Sequence, residues 1–478
     1  MVFSSTLFLF LFLPGVLTLY LLVPWRLKNF VLLCASLLFY AWGEVFYFLI
    51  MLASILLNYA FGLLVHRSSG RTAAKLAMAG GVAANLALLG YFKYANFLGA
   101  NVGALLSSLG MAPLEFERVH LPIGISFFTF QGMSYMIDVY RKEAPVQRNP
   151  LHIALYISLF PQLIAGPIVR YHDVALQIMD RVLTADAMAY GVKRFTMGLA
   201  KKVLLANTVA VAADNIFALP PNDLTAGAAW LGLVCYTLQI YFDFSGYSDM
   251  AVGLGHMFGF TFMENFQWPY ISQSIREFWR RWHISLSTWF RDYLYVPLGG
   301  NRCAPWRTYL NLVIVFFLCG LWHGASWNFV IWGLYHGFFL VLERSPAGRL
   351  LDKMWRPLRH AYVLLVVLLG WVFFRADTMP HALEYLVTLF GGSDANPVLH
   401  PWREYLQNDT TLALAFGVLG AMPVIPALHA GWTKRTGQNR SLQALRLTAE
   451  ALSCATLLLL CAMTLSAGTH NPFIYFRF

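Results

Sequence analysis

The chain has 478 residues, of which 58% are hydrophobic with glycine uncounted, 16% aromatic and only 12% charged. A soluble domain holds roughly 45–50% apolar residues with glycine included and about 25% charged ones, so a soluble enzyme or binding module is excluded. The formal net charge of +11 reads as the Lys/Arg excess that a membrane protein keeps in the cytoplasm, and basic residues scattered through short loops exclude a nucleic-acid partner.

A spanning helix needs about 20 mostly apolar residues. The first such stretch, near 4–24, has no basic region before it and no small-residue cleavage site, so it is predicted as a membrane helix and not a signal peptide. Further spans are predicted near 29–43, 44–65, 76–97 and 120–140, less regular ones at 151–168, 187–218 and 227–262, and a last group at 308–322, 324–342, 361–375, 411–430 and 447–466. The six cysteines, Cys34, Cys235, Cys303, Cys319, Cys454 and Cys461, mostly fall within apolar segments, without CxxC spacing or clustered histidines. They read as packing, and no metal is expected.

Short-loop Lys and Arg favour the cytoplasm. Arg26 and Lys28, then Arg67, Arg71 and Lys75, then Arg141, Lys142 and Arg148 fall on alternate connections, which predicts an N-terminus outside. Lys434, Arg435, Arg440 and Arg446 precede the last span and send residues 467–478 outside as an extracytoplasmic tail. The middle of the chain, 151–305, does not divide into clean spans, and broken or re-entrant helices there are tolerated only where they are buried in protein or line a cavity.

Two windows carry polar chemistry. In Leu318-Cys-Gly-Leu-Trp-His-Gly-Ala-Ser-Trp-Asn328, His323 lies between apolar runs with no loop near enough to solvate it. It is either a hydrogen-bonded packing residue or a functional one, since ionisable groups at membrane depth mark function by default. Gly320 and Gly324 flank it at a spacing that permits close helix approach. His336, thirteen residues on, would face the opposite side of a continuous helix and is not expected to partner it.

The second window, 276–292, alternates cations and indoles along a predicted interfacial helix and contains Arg280, Arg281, Trp282 and His283. It reads equally as a membrane-surface anchor or as a docking place for a nucleotide diphosphate, which arginine contacts bidentately and an indole stacks. The enclosing segment 264–305 is too polar to span and is placed at the cytoplasmic side. No GxSxG elbow, P-loop or HExxH is present.

The stretches MVFSSTLFLFLFLP (1–14), LGYFKYANF (89–97), LPIGISFFTF (121–130), LIAGPIVR (163–170), YFDFSGYSDMAVGLG (241–255), 265–302 and GLWHGASW (320–327) resemble, over the whole chain, the membrane-bound O-acyltransferase (MBOAT) family. Within it they are most similar to the membrane subunit of bacterial alginate O-acetylation. The resemblance implies one all-α polytopic domain, 1–478, with a ring of about 11 or more transmembrane helices and re-entrant helices around a central tunnel. It also implies that His323 is the signature catalytic histidine, that His283 is its second tunnel histidine, and that acetyl-CoA is the donor.

Arg280, Arg281 and Trp282 are then the expected donor-binding residues at the cytoplasmic mouth. The implied function is O-acetylation of a periplasmic exopolysaccharide, alginate first and cellulose or peptidoglycan as alternatives. Multi-pass insertion in the inner membrane and a periplasmic serine O-acetyltransferase of the SGNH type as partner are expected. A transporter of an acylated carrier is the rival class, disfavoured because paired inverted repeats are not evident. The ending Asn471-Pro-Phe-Ile-Tyr-Phe-Arg-Phe478 is either an aromatic interface belt or, by its similarity to the tyrosine tail of the acyl-relay protein of teichoic acid D-alanylation, an acyl carrier at Tyr475.

Overall fold

The computed structural model describes residues 1–112, 117–392, 395, 401–436, 439–468 and 474, and they contain helices and connections but no strand. Six helices are long and apolar enough to cross a membrane by length and composition: Phe48–Arg67, Thr72–Ser108, Ala185–Phe217, Pro305–His323, Arg356–Arg375 and Arg440–Ser466. A seventh crossing results if the bent pair Asn408–Gly420 and Val424–Arg435, which meet at 62°, counts as one. Shorter or broken helices, such as Trp25–Ala41 and Ile125–Arg141, complete the body of the protein.

Local sequence explains the ends of these elements. Asn149 caps the Pro150–Ser158 helix by accepting from Leu151 N at 3.0 Å, with proline at the first position, where its missing N–H costs nothing. Ser274 accepts from Glu277 N at 3.0 Å, and the Glu277 carboxylate accepts from Gln273 N at 2.9 Å. Such reciprocal capping allows a helix as short as Ile275–Arg281 to hold its place.

The organising element is the 32-residue helix Ala226–Met257, in which every residue from 235 to 255 is buried. Helices covered on all sides lie at the centre of a membrane protein. Close packing against Ala185–Ala200 depends on glycine: a Cβ on Gly253 would lie 2.6 Å from the Gly191 carbonyl oxygen, and one on Gly246 would lie 2.7 Å from that of Gly198. Small residues let helix backbones approach where no hydrophobic effect drives association. The acidic groups of the central helix are neutralised from the span that contains this neighbour, Ala185–Phe217: Asp243 pairs with Lys202, and Asp249 with Lys201 at 2.7 Å and Arg194 at 2.8 Å.

The sequence predicts one interfacial helix over 276–292; the structure breaks it. Helices Ile275–Arg281 and Ile284–Phe290 meet at His283, whose φ of 45° and ψ of 55° are left-handed. Trp279, Trp282 and Trp289 all turn inward and are less than a tenth exposed.

Candidate active site

His323 ends the Pro305–His323 helix, and the chain turns at Gly324 before Trp327–Arg344 begins. The two helices form a tight hairpin in which a Cβ on Gly320 would lie 3.3 Å from the Gly333 Cα. Gly320 therefore serves helix packing, as its spacing suggested. His323 and His336 stand on separate helices, not on opposite faces of one, and share the ring of Trp332, whose centroid is 5.0 Å from the first imidazole and 5.1 Å from the second. No contact joins them directly among the described residues.

His283 approaches from the broken segment. Its ring lies 6.4 Å from that of His323, and Trp322 lines both, at 6.0 Å from His283 and 5.1 Å from His323. Phe244 of the central helix packs edge-on to His283 at 4.6 Å. The two imidazoles are buried, and neither nitrogen of His323, nor Nε2 of His283, has a hydrogen-bond partner among the described residues. Trp279, Trp322 and Trp332 each leave an indole N–H unpartnered nearby. Buried polar groups in native proteins are normally paired, so this concentration of orphans sets the place apart as the candidate site.

The state of His283 follows from Asn265. Its Oδ1 accepts the backbone N–H of Ser285 at 3.1 Å and the Ser285 hydroxyl at 2.9 Å, and lies 3.2 Å from His283 Nδ1. An oxygen that only accepts requires the proton on Nδ1. Nε2 is therefore a bare acceptor, whereas His323 has both nitrogens uncommitted.

A cavity of about 510 Å³ reaches His323 and is bordered by Glu44, Lys93, His120, Ser126 and Trp322. A second, of about 350 Å³, shares Lys93 and Leu121 with it and extends to Arg375 and Asp377. At the far end of the Trp327–Arg344 helix lies a polar cavity of about 710 Å³ bordered by Arg276, Arg280, Arg344 and Arg349. The three expected donor residues separate here. Arg280 borders this cavity, whereas Arg281 is engaged by Glu277 at 2.9 Å and by the Gln267 carbonyl at 3.0 Å. Trp282 is buried against Phe278 at 5.6 Å and Trp371 at 4.9 Å.

Tyr475 lies outside the described residues. The residue before it, Ile474, is buried and donates its backbone N–H to Asp243 Oδ2 at 2.8 Å. Asp243 directly precedes Phe244, the residue that packs on His283. Elsewhere, Asp138, Glu143 and His172 bring one possible ligand atom each within 4.8 Å of one another. Asp138 is already engaged, by the Tyr293 hydroxyl at 2.6 Å and by the backbone N–H and Nδ1 of His172 at 3.0 Å each.

Two of the residues that build the site escaped the sequence reading. Lys93 carried a usable signal, an ionisable group within the apolar run 76–97. Asn265 carried none, since it meets His283 from 18 residues away through a fold that spacing does not disclose.

Residues 123–371 match the MBOAT, membrane-bound O-acyltransferase family model, and the chain belongs to this family. It is 45% identical to the probable alginate O-acetylase AlgI of Azotobacter vinelandii and 42% identical to that of Pseudomonas aeruginosa, with both chains covered completely in each case. It is also 38% identical to the peptidoglycan O-acetyltransferase of Helicobacter pylori over 82% of this chain and 80% of that one. The protein is a multi-pass membrane O-acetyltransferase of the AlgI type.

Proposed function

We propose that the protein takes acetyl from cytoplasmic acetyl-CoA and delivers it across the bacterial inner membrane for O-acetylation of a periplasmic polysaccharide, alginate before cellulose or peptidoglycan. The observation that carries this reading is the pair of buried imidazoles, with three nitrogens unpartnered, beside a cavity that reaches His323. In this reading both termini are periplasmic, and a separate serine O-acetyltransferase of the SGNH type completes transfer to the polymer.

In the proposed reaction a hydroxyl oxygen attacks the thioester carbonyl, the new C–O bond replaces the C–S bond, and the hydroxyl proton ends on the CoA sulfur. His323 takes that proton first. The bare Nε2 of His283 accepts the second N–H of His323, through a ring rotation or a bridging water, and supports the imidazolium as it forms. Arg280, with Arg276, Arg344 and Arg349, faces the phosphates of the donor, while Trp282 belongs to the wall that the thioester arm passes.

Tyr475 is the proposed first acceptor. A phenol, with a pKa of about 10, is a better leaving group than a sugar or serine hydroxyl, so a tyrosyl ester divides one difficult transfer into two easier ones. The burial of Ile474, whose N–H donates to Asp243 Oδ2, supports this reading, because Asp243 adjoins in sequence Phe244, which packs on His283.

The experiment is transfer from labelled acetyl-CoA by the purified protein reconstituted with its periplasmic partner and polymer, comparing wild type with Tyr475→Phe. The reading predicts CoA release and labelled polymer in the wild type and loss of polymer label in the variant. Absence of CoA release by the wild type would favour a transporter of an already acylated carrier, and full acetylation by the variant would return the tail to the role of an anchor.

A further inference from the structure

We propose that Lys93 is a positioning residue for His323, acting through the peptide carbonyls that end the helix on which that imidazole stands. This rests on the reading of His323 as the base. The last turn of Pro305–His323 is closed by Gly324 N, which donates to Gly320 O at 3.2 Å. The carbonyls of Leu321, Trp322 and His323 then have no helical N–H left to meet. All three are met from one other place. The Tyr94 hydroxyl donates to Leu321 O at 2.7 Å, and the Lys93 ammonium donates to Trp322 O and, at 3.3 Å, to His323 O.

Both donors come from the π-turn Gly90–Tyr94 inside the Thr72–Ser108 span. Such turns are rare and are frequently found at functional sites. Lys93 is buried and forms no ion pair among the described residues. Its third donor reaches the Ser126 hydroxyl at 3.3 Å. An ammonium has three N–H groups, and here each has an oxygen, two of them belonging to the end of one helix.

The placement bears on both imidazoles. The Lys93 nitrogen lies 5.8 Å from the centroid of the Trp322 ring, and that ring lines both His323 and His283. The same ammonium borders both cavities that adjoin the site. Without it, two carbonyls at membrane depth lose their donor and the last turn is free to open. The ring of His323 moves with that turn, and a misplacement of about 1 Å in a reacting group costs on the order of 10²-fold in rate.

The test compares full-length wild type, Lys93→Met, Lys93→Arg and Tyr94→Phe, each purified and assayed with acetyl-CoA, partner and acceptor. Two readouts are taken, kcat against KM for acetyl-CoA, and amide hydrogen exchange over residues 319–326. We expect Lys93→Met to lower kcat about 10²-fold with KM within about twofold, and to speed exchange over 319–326. Lys93→Arg, which keeps donors at the helix end, recovers part of both, and Tyr94→Phe shows the same pattern more weakly.

Wild-type kcat in Lys93→Met, or a loss of kcat with exchange over 319–326 unchanged, overturns the proposal. If Lys93→Met does not insert, Tyr94→Phe decides by the same two readouts. Loss of the capping is read from exchange alone, so activity retained by His323→Ala would remove the base assignment and be told apart from failure of the cap.

Discussion

Asn265 holds His283 in one tautomer: its Oδ1 lies 3.2 Å from Nδ1 of the imidazole while also accepting the Ser285 N–H at 3.1 Å. The backbone donor fixes which end of the amide faces the ring, and the ring proton follows. Because His283 also carries left-handed backbone angles, the same amide pins the loop that points the ring inward.

Replacing Asn265 by Leu therefore removes both tautomer control and the loop anchor. We expect kcat to fall by about 10² or more, within the range general acid–base catalysis contributes, with KM for acetyl-CoA nearly unchanged. Asn265→Asp keeps the acceptor and should retain more activity than the leucine variant. Steady-state kinetics of CoA release checks both, and equal activities in the two variants would separate Asn265 from the tautomer of His283.

Arg280 and Arg281 are predicted to behave differently although they are neighbours. Arg276→Gln with Arg280→Gln removes two of the cations around the 710 Å³ cavity, and KM for acetyl-CoA should rise about tenfold per arginine, as for the loss of hydrogen bonds to a charged group. Arg281→Gln loses its ion pair with Glu277 and its bond to Gln267 O, so it should lower thermal stability and leave KM in place. Calorimetric titration with CoA gives the same comparison without turnover.

How far the site was legible depends on the distance over which its parts signal. His323 stood out because an imidazole between apolar runs has no solvent, and His283 because indoles and cations crowd around it. The same crowding misled on geometry: Trp279, Trp282 and Trp289 read as a surface stripe, yet all are buried, and the chain breaks at His283 between the second and the third. Long-range partners leave no local trace, as with Asn265 and His283. The turn at Gly324, by contrast, was legible in the boundary between the predicted spans 308–322 and 324–342, and it places His323 and His336 on separate helices.

The cluster around Asp138 gives a pH signature. Hydrogen bonds to Asp138, then to Asp173, push the His172 imidazole up from its ordinary 6.5 to about 9. Its folded value lies above its unfolded one, so the stability it contributes is complete below about pH 6.5 and is lost as pH rises through about 9. His172→Gln should lower the unfolding temperature in detergent at pH near 6 and lose that deficit above about 9. A deficit independent of pH across this window would mean that His172 acts there as a neutral packing group.

The central claim is that His323 removes the proton from the attacking hydroxyl, and the most direct measurement is acetyl-CoA consumption by His323→Ala in the presence of partner and acceptor. Alanine can neither accept the proton nor fill the wall between Trp322, Trp332 and Phe374. The account predicts correct insertion, retained CoA binding at the distant arginine cavity, and turnover reduced by about 10² to 10⁴. Acetyl-CoA consumption at the wild-type rate by the inserted variant would contradict it.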